Sequence, residues 1–147
     1  MGQLNIPSSS IIYVDTSPVI YTVEENQIYA LLLQPLWLKF QTNEVEIISS
    51  ELILMETLVV PLRSANNALI AKYENLLLSS EMRLIPISQG VLRQAATLRA
   101  TTNIKTPDAI HAATALSVNC TQFITNDKGF RNVSGLSVVV LSEVLAS

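Results

Sequence analysis

The chain alternates short, apolar, largely β-branched runs with longer stretches of helical period, and few folds accept that alternation. The runs are IIYV at 11–14, VEII at 45–48, RLIPI at 83–87, QFIT at 122–125 and LSVVVL at 136–141. Between them the periodicity predicts helices over 18–42 (in two pieces), 50–62, 64–79, 88–102 and 107–118. Apolar strands separated by helices pack as a parallel sheet covered on both faces. The expectation is an α/β fold with one domain over residues 11–147 and a loose arm over residues 1–10.

In such sheets the connections bring the strand C-terminal ends to one edge, where ligands bind. Charged residues make up only 14% of the chain, against roughly 25% in an average soluble domain, so each acid carries more information than usual. The first strand of IIYVDTSP runs into Asp15, and the fourth, in FITNDKGF, runs into Asp127. If those two strands are neighbours, the two carboxylates meet at that edge.

Three acids have ordinary explanations. Pro18 suits the first turn of a helix that Asp15, Thr16 or Ser17 caps, and on this stretch alone capping suffices. In KTPDAIHAATAL, Thr106 reads as the N-cap and Pro107 as the first turn, and Asp108 favours the helix dipole by about 0.3–1 kcal/mol. The alanines that follow imply a helix packed closely on its neighbours. Asp127 with Asn126 suits a turn ahead of Gly129. Glu56 resists such treatment. On a helical wheel Leu52, Val59 and Val60 flank it within about 60°, while Glu51 falls on the opposite side. No basic residue stands three or four positions away to pair with it. A buried carboxylate without a partner is costly, so Glu56 requires one from elsewhere, a metal or an arginine across the fold. Carboxylates converging on one rim repel, by about 4 kcal/mol for two charges 4 Å apart at an effective dielectric near 20. A hard cation cancels that repulsion, and all-oxygen ligands select Mg²⁺ or Mn²⁺ over zinc.

The rest of the chain narrows the field. A net charge of −3 gives no bulk capture of nucleic acid or of an anionic membrane, although bound divalent ions can reverse the local sign. Cys120 is the single cysteine, which rules out an intramolecular disulfide and suits a reducing cytoplasm. MGQLNIPSSS lacks the pattern of a signal peptide, and Ile6 stands where a myristoylation motif wants Ser or Thr. IYALLLQPLWLKF, broken by Gln34, Pro35 and Lys39, is too short and interrupted to span a bilayer. A cytoplasmic protein with no membrane partner is expected. The four glycines are too scattered for a phosphate-binding loop. His111, three residues after Asp108, reads as a hydrogen-bonded packing residue, with a contact behind a metal ligand as the lesser reading; nothing around it supports zinc. Trp37, beside Leu36, Leu38 and Phe40, reads as core or protein interface. Lys105, Lys128 and Arg131 adjoin the acids in sequence and are candidates for flanking phosphates, though such residues are more often solvated surface.

The stretches IIYVDTSPVIY, IISSELILMETLVVPLR, TPDAIHAATAL and FITNDKGF, in that order over residues 11–130, resemble the motifs of the PIN-domain ribonucleases, particularly the VapC-type toxins of type II toxin–antitoxin systems. TPDAIHAATAL followed by FITND is the most specific pair. The resemblance implies a three-layer α/β/α fold around a parallel sheet of about five strands. It implies Mg²⁺- or Mn²⁺-dependent hydrolysis of phosphodiester bonds in single-stranded or looped RNA, by water whose pKa a bound metal lowers. By position, Asp15 and Asp108 resemble the principal metal ligands, Glu56 a ligand or an orienting base for the water, and Asp127 the fourth acid. Thr16 and Thr125 fall where the family often has a hydroxyl steadying the cluster. Some members carry a further acid where Lys128 and Gly129 stand, which puts a full second metal site in doubt. A small antitoxin and a second copy of the chain are the implied protein partners, with the apolar helical surfaces near 30–40 and 52–62 as candidate faces. A catalytically silent PIN-like binding module is the alternative, but loss of catalysis usually shows as a missing acid and all four are present. A dehalogenase-type phosphatase would show Asp-x-Asp after the first strand, where Thr16 and Ser17 follow Asp15 instead.

Overall fold

All five apolar runs enter one sheet in the computed structural model, which describes residues 2–147. The strands are β1 (Ser10–Val14), β2 (Val45–Ser50), β3 (Arg83–Ile85), β4 (Gln122–Thr125) and β5 (Val138–Val140), ordered β3-β2-β1-β4-β5 with every pairing parallel. Tyr13 lies opposite Ile48 on one side and Phe123 on the other. The pleat sends successive side chains to opposite faces. Ile12 and Val14 therefore enter one core with Ile47 and Ile124, while Tyr13 enters another with Phe123 and Ile48.

Helices α1 (Thr16–Val23), α2 (Tyr29–Gln41), α3 (Leu52–Arg63) and α4 (Asn67–Leu78) cover the first face, joined by α7 (Leu141–Ala146). Helices α5 (Gln89–Thr101) and α6 (Thr106–Ser117) cover the second. This is the expected three-layer arrangement of helices, parallel sheet and helices. Ala109, Ala112, Ala113 and Ala115 are all fully buried, so α6 approaches α5 and the sheet closely. No helix among the described residues is long and apolar enough to cross a membrane.

Two strand bounds need correction. β3 stops at Ile85 because Pro86 has no N–H to donate to a ladder. β5 stops at Val140 because Leu141 opens α7, whose Ser142 N–H donates to Asn126 Oδ1 at 2.8 Å. The segment ahead of β1 makes contacts with the rest of the fold. Leu4 and Ile6 are buried in the first core, Lys39 Nζ donates to the Ile6 carbonyl, and Gln122 Nε2 donates to the Asn5 carbonyl at 2.9 Å. Leu4→Ala should therefore cost about 2 kcal/mol and lower the melting temperature by about 4–8 °C; a loose arm would leave the calorimetric midpoint unmoved.

The strand order places the site. From β1 the chain moves outward to β2 and β3, then returns to β4 on the other side. The C-terminal ends of β1 and β4 thus flank the point where the winding reverses, the crevice in which open parallel sheets bind ligands.

Candidate active site

Asp15 follows β1 directly and takes the N-cap position of α1, with φ −83° and ψ −161°, yet its side chain makes no capping bond to that helix. Oδ2 instead accepts from Thr125 Oγ1 at 2.7 Å, and Oδ1 accepts from Ser17 Oγ at 3.3 Å. Thr125 ends β4, and its Oγ1 also accepts the Asp127 N–H at 3.0 Å. The two neighbouring strand ends are stitched through one threonine, and the capping account of Asp15 fails. Asp15 is only 7% exposed. Burial pushes its pKa up to about 6, with the Asp108 charge adding to the rise and the Thr125 hydrogen bond opposing it.

Glu56 projects from α3 at the border of its buried face. The helix buries Ile53, Thr57 and Pro61, whereas Val59 and Val60 are exposed, so the apolar stripe expected to enclose Glu56 lies partly in solvent. The partner that Glu56 requires is neither an arginine nor a residue of its own helix. His111 Nε2 lies 2.6 Å from Glu56 Oε1, and Thr16 Oγ1 donates to the same oxygen at 2.6 Å. On the far side of the ring, Nδ1 lies 2.7 Å from the hydroxyl of Tyr13. Burial raises the Glu56 pKa, but the His111 contacts and the Thr16 bond outweigh it and hold the carboxyl below its ordinary value. His111 is 1% exposed and fully engaged, which fits a hydrogen-bonded packing residue and also a support behind the acids. Two signals pointed to this cluster: an acid in need of a partner in a chain with one histidine, and a tyrosine at a strand position where packing alone asks for phenylalanine.

Asp108 stands in the first turn of α6. Thr106 opens that helix rather than capping it, and the N-cap position falls to Lys105, without a side-chain bond. Burial raises the Asp108 pKa, and the charges of Asp127 and Glu56 raise it further, while Lys105 opposes them. The Asp108 charge in turn contributes to the raised pKa of Asp15. Asp127 keeps its turn role, Oδ1 accepting the Gly129 N–H at 2.8 Å, and shares with Asp108 a cleft of about 310 Å³ lined also by Asn103, Lys105 and Asn132. Asp15 and Glu56 do not line that cleft. Arg131 is committed to Glu143, its two terminal nitrogens meeting both carboxylate oxygens, and Lys128 Nζ lies 3.9 Å from the same group. Of the three candidate phosphate contacts, Lys105 alone faces the acids.

The donors suit a hard cation: carboxylates from four segments of the chain, two of them raised in pKa partly by a neighbour's charge. Among the described residues no three His, Cys, Asp or Glu side chains stand close enough to hold an ion as a ready-made cage. Mg²⁺ does not require one, since it commonly takes one or two carboxylates and fills its shell with water and substrate oxygens.

No curated protein matches the sequence significantly. Solved structures do share the fold. VapBC2 from Rickettsia felis, bound to a DNA fragment from its promoter, aligns with TM-score 0.69 and 19% identity over 88% of this chain and 98% of that one. Mycobacterium tuberculosis VapC20, a sarcin–ricin loop cleaving toxin, aligns with TM-score 0.68 and 17% identity over 84% and 95%. A toxin–antitoxin complex from Klebsiella pneumoniae aligns with TM-score 0.62 and 23% identity over 88% and 96%. The PIN domain family matches residues 12–136, a span that holds the reversal point of the sheet together with Asp15, Glu56, Asp108 and Asp127, and the chain belongs to that family.

Proposed function

We propose that the protein is an endoribonuclease that hydrolyses RNA phosphodiester bonds with Mg²⁺ or Mn²⁺, acting in the cytoplasm as the toxin of a toxin–antitoxin pair. The observation that supports this reading is geometric: Asp15 and Asp127 follow the neighbouring strands β1 and β4 at the reversal point of the sheet, both hydrogen-bonded to Thr125, and Asp127 shares a cleft with Asp108. Asp15 and Asp108 would hold the ion, Asp127 would support it directly or through water, and Glu56 would serve as a further ligand or orient the attacking water. Thr125 steadies Asp15 and Thr16 steadies Glu56. A bound divalent ion supplies a water deprotonated near neutral pH and neutralises charge on the phosphoryl oxygens. The side chains position; none is required as a nucleophile. Lys105, Asn103 and Asn132 line the cleft with Asp108, where they would meet RNA next to the scissile phosphate.

The toxin assignment draws on the shared fold, since structures of the same architecture are toxin–antitoxin complexes. Leu31 and Leu38 on α2, with Met55, Val60 and Leu62 on α3, leave large apolar side chains in solvent and offer faces for an antitoxin or a second copy.

Incubating the purified protein with single-stranded and stem–loop RNA in Mn²⁺, Mg²⁺ or EDTA tests the chemistry. Cleavage is expected with either metal and none in EDTA. Mn²⁺ should also raise the melting temperature in proportion to the logarithm of its concentration once the site saturates. Cleavage that persists in EDTA ends the reading.

A further inference from the structure

Tyr13 is fully buried, stacked on Phe123 with ring centroids 5.0 Å apart and planes at 6°, and it meets the edge of His111 at 5.8 Å and 77°. Packing alone would be served by phenylalanine, because a buried hydroxyl is costly unless it is paired. Its well-aligned partner is Nδ1 of His111, at 2.7 Å, with Ser49, Thr114 and the Ser50 backbone as further polar neighbours of the hydroxyl. On the opposite edge of the ring, Nε2 and Thr16 Oγ1 both bond Oε1 of Glu56, whereas Oε2 takes no hydrogen bond among the described residues. The carboxylate is therefore gripped by one oxygen and free at the other. A carboxylate accepts only, so Nε2 must carry a proton to bond it. That leaves Nδ1 to Tyr13, whichever charge the ring has.

We propose that Tyr13 and His111 are positioning residues: the Tyr13 hydroxyl locks the imidazole with Nε2–H aimed at Glu56, and that bond, with Thr16, fixes Oε1 so that Oε2 is the single oxygen Glu56 presents to the ion or the attacking water. The catalytic consequence rests on the ribonuclease reading above; the hydrogen-bond arrangement does not. Partners behind a ligating group typically change affinity or rate by about 10–100-fold when removed. The interaction is built from packing and directed bonds across β1, α1, α3 and α6.

Because His111 is the only histidine, nitrogen-15 NMR of the metal-free protein reports on this ring alone. Wild type should show a protonated, pyrrole-like Nε2, and Tyr13→Phe should populate a second form protonated at Nδ1. In cleavage, His111→Ala should lower kcat about 10–100-fold with KM for RNA unchanged. His111→Gln, whose amide N–H reaches toward the place of Nε2–H, should recover most of that loss, while the shorter His111→Asn should not. Tyr13→Phe keeps the ring and its stacking, and should give a smaller kcat loss if the alanine variant fails to fold. A pyridine-like Nε2 in wild type overturns the proposal, as does Gln rescuing no better than Asn, or kcat that merely follows the melting temperatures of the variants. If wild type cleaves no RNA, the ribonuclease reading falls, and the imidazole spectra alone then uphold or overturn the locked ring.

Discussion

Asp15→Asn should stabilise the metal-free protein while lowering RNA cleavage by at least about 1000-fold, since the lost ligand forfeits several kcal/mol of transition-state stabilisation. The folded-state pKa of Asp15, about 6, lies above its ordinary value of 3.8. A group with a raised pKa contributes stability that is fully present below the unfolded pKa and is lost as pH rises through the folded one. Below about pH 4 the carboxyl is neutral in both states; above about pH 6 a buried carboxylate must be tolerated. The shift corresponds to about 3 kcal/mol as an upper bound. Asn cannot reproduce both hydroxyl contacts, from Thr125 and Ser17, so the expected gain at pH 8 is about 1–3 kcal/mol, or about 2–12 °C in melting temperature. At pH 4 the gain should vanish. Calorimetry of EDTA-treated wild type and variant at both pH values decides the matter. An equal gain at pH 4 and pH 8 would mean that Asp15 is not the ionising group, and no gain at either would return it to a local structural role.

The acids should not be equivalent. Asp108→Asn is expected to cost at least about 1000-fold in cleavage with the melting temperature within a few degrees of wild type. Asn in the first turn forfeits a favourable dipole contact of about 0.3–1 kcal/mol but relieves repulsion from three neighbouring acids. Asp127→Asn should cost only about 10–100-fold. One of its oxygens is already committed to the Gly129 N–H, a bond that Asn can also accept, so the turn survives and only the weaker support is lost. Rates measured on one stem–loop substrate at saturating Mn²⁺ compare the two directly. Equal losses, or a greater one at Asp127, would contradict Asp108 as a principal ligand and Asp127 as the lesser one.

Local signals located some of this and missed the rest for identifiable reasons. The wheel correctly denied Glu56 a partner on α3, yet it enclosed the acid in an apolar stripe of which Val59 and Val60 are exposed. Apolarity on a helix marks a face that avoids water, whether the fold covers it or a partner does. The motif VDTSP fits a capped helix, and the backbone of Asp15 obliges, but its side chain turns away to Thr125. Arg131 sits four residues from Asp127 in sequence and is drawn off by Glu143 from α7, an element absent from the sequence expectation.

By itself the sequence determined the five strands, the helices between them and the placement of Asp15 and Asp127 just past strand ends. Burial and backbone geometry impose periods of about two and 3.6 residues, and these are written into neighbouring positions. The tertiary structure alone decided that β1 lies beside β4, that Leu4 and Ile6 close the core, and that Tyr13, His111 and Glu56 form one chain of hydrogen bonds. Asp15 meets Thr125 across 110 residues, and Glu56 meets His111 across 55. A bond between such distant positions leaves no period in either segment; it exists because parallel strands and their covering helices bring remote side chains to the same edge.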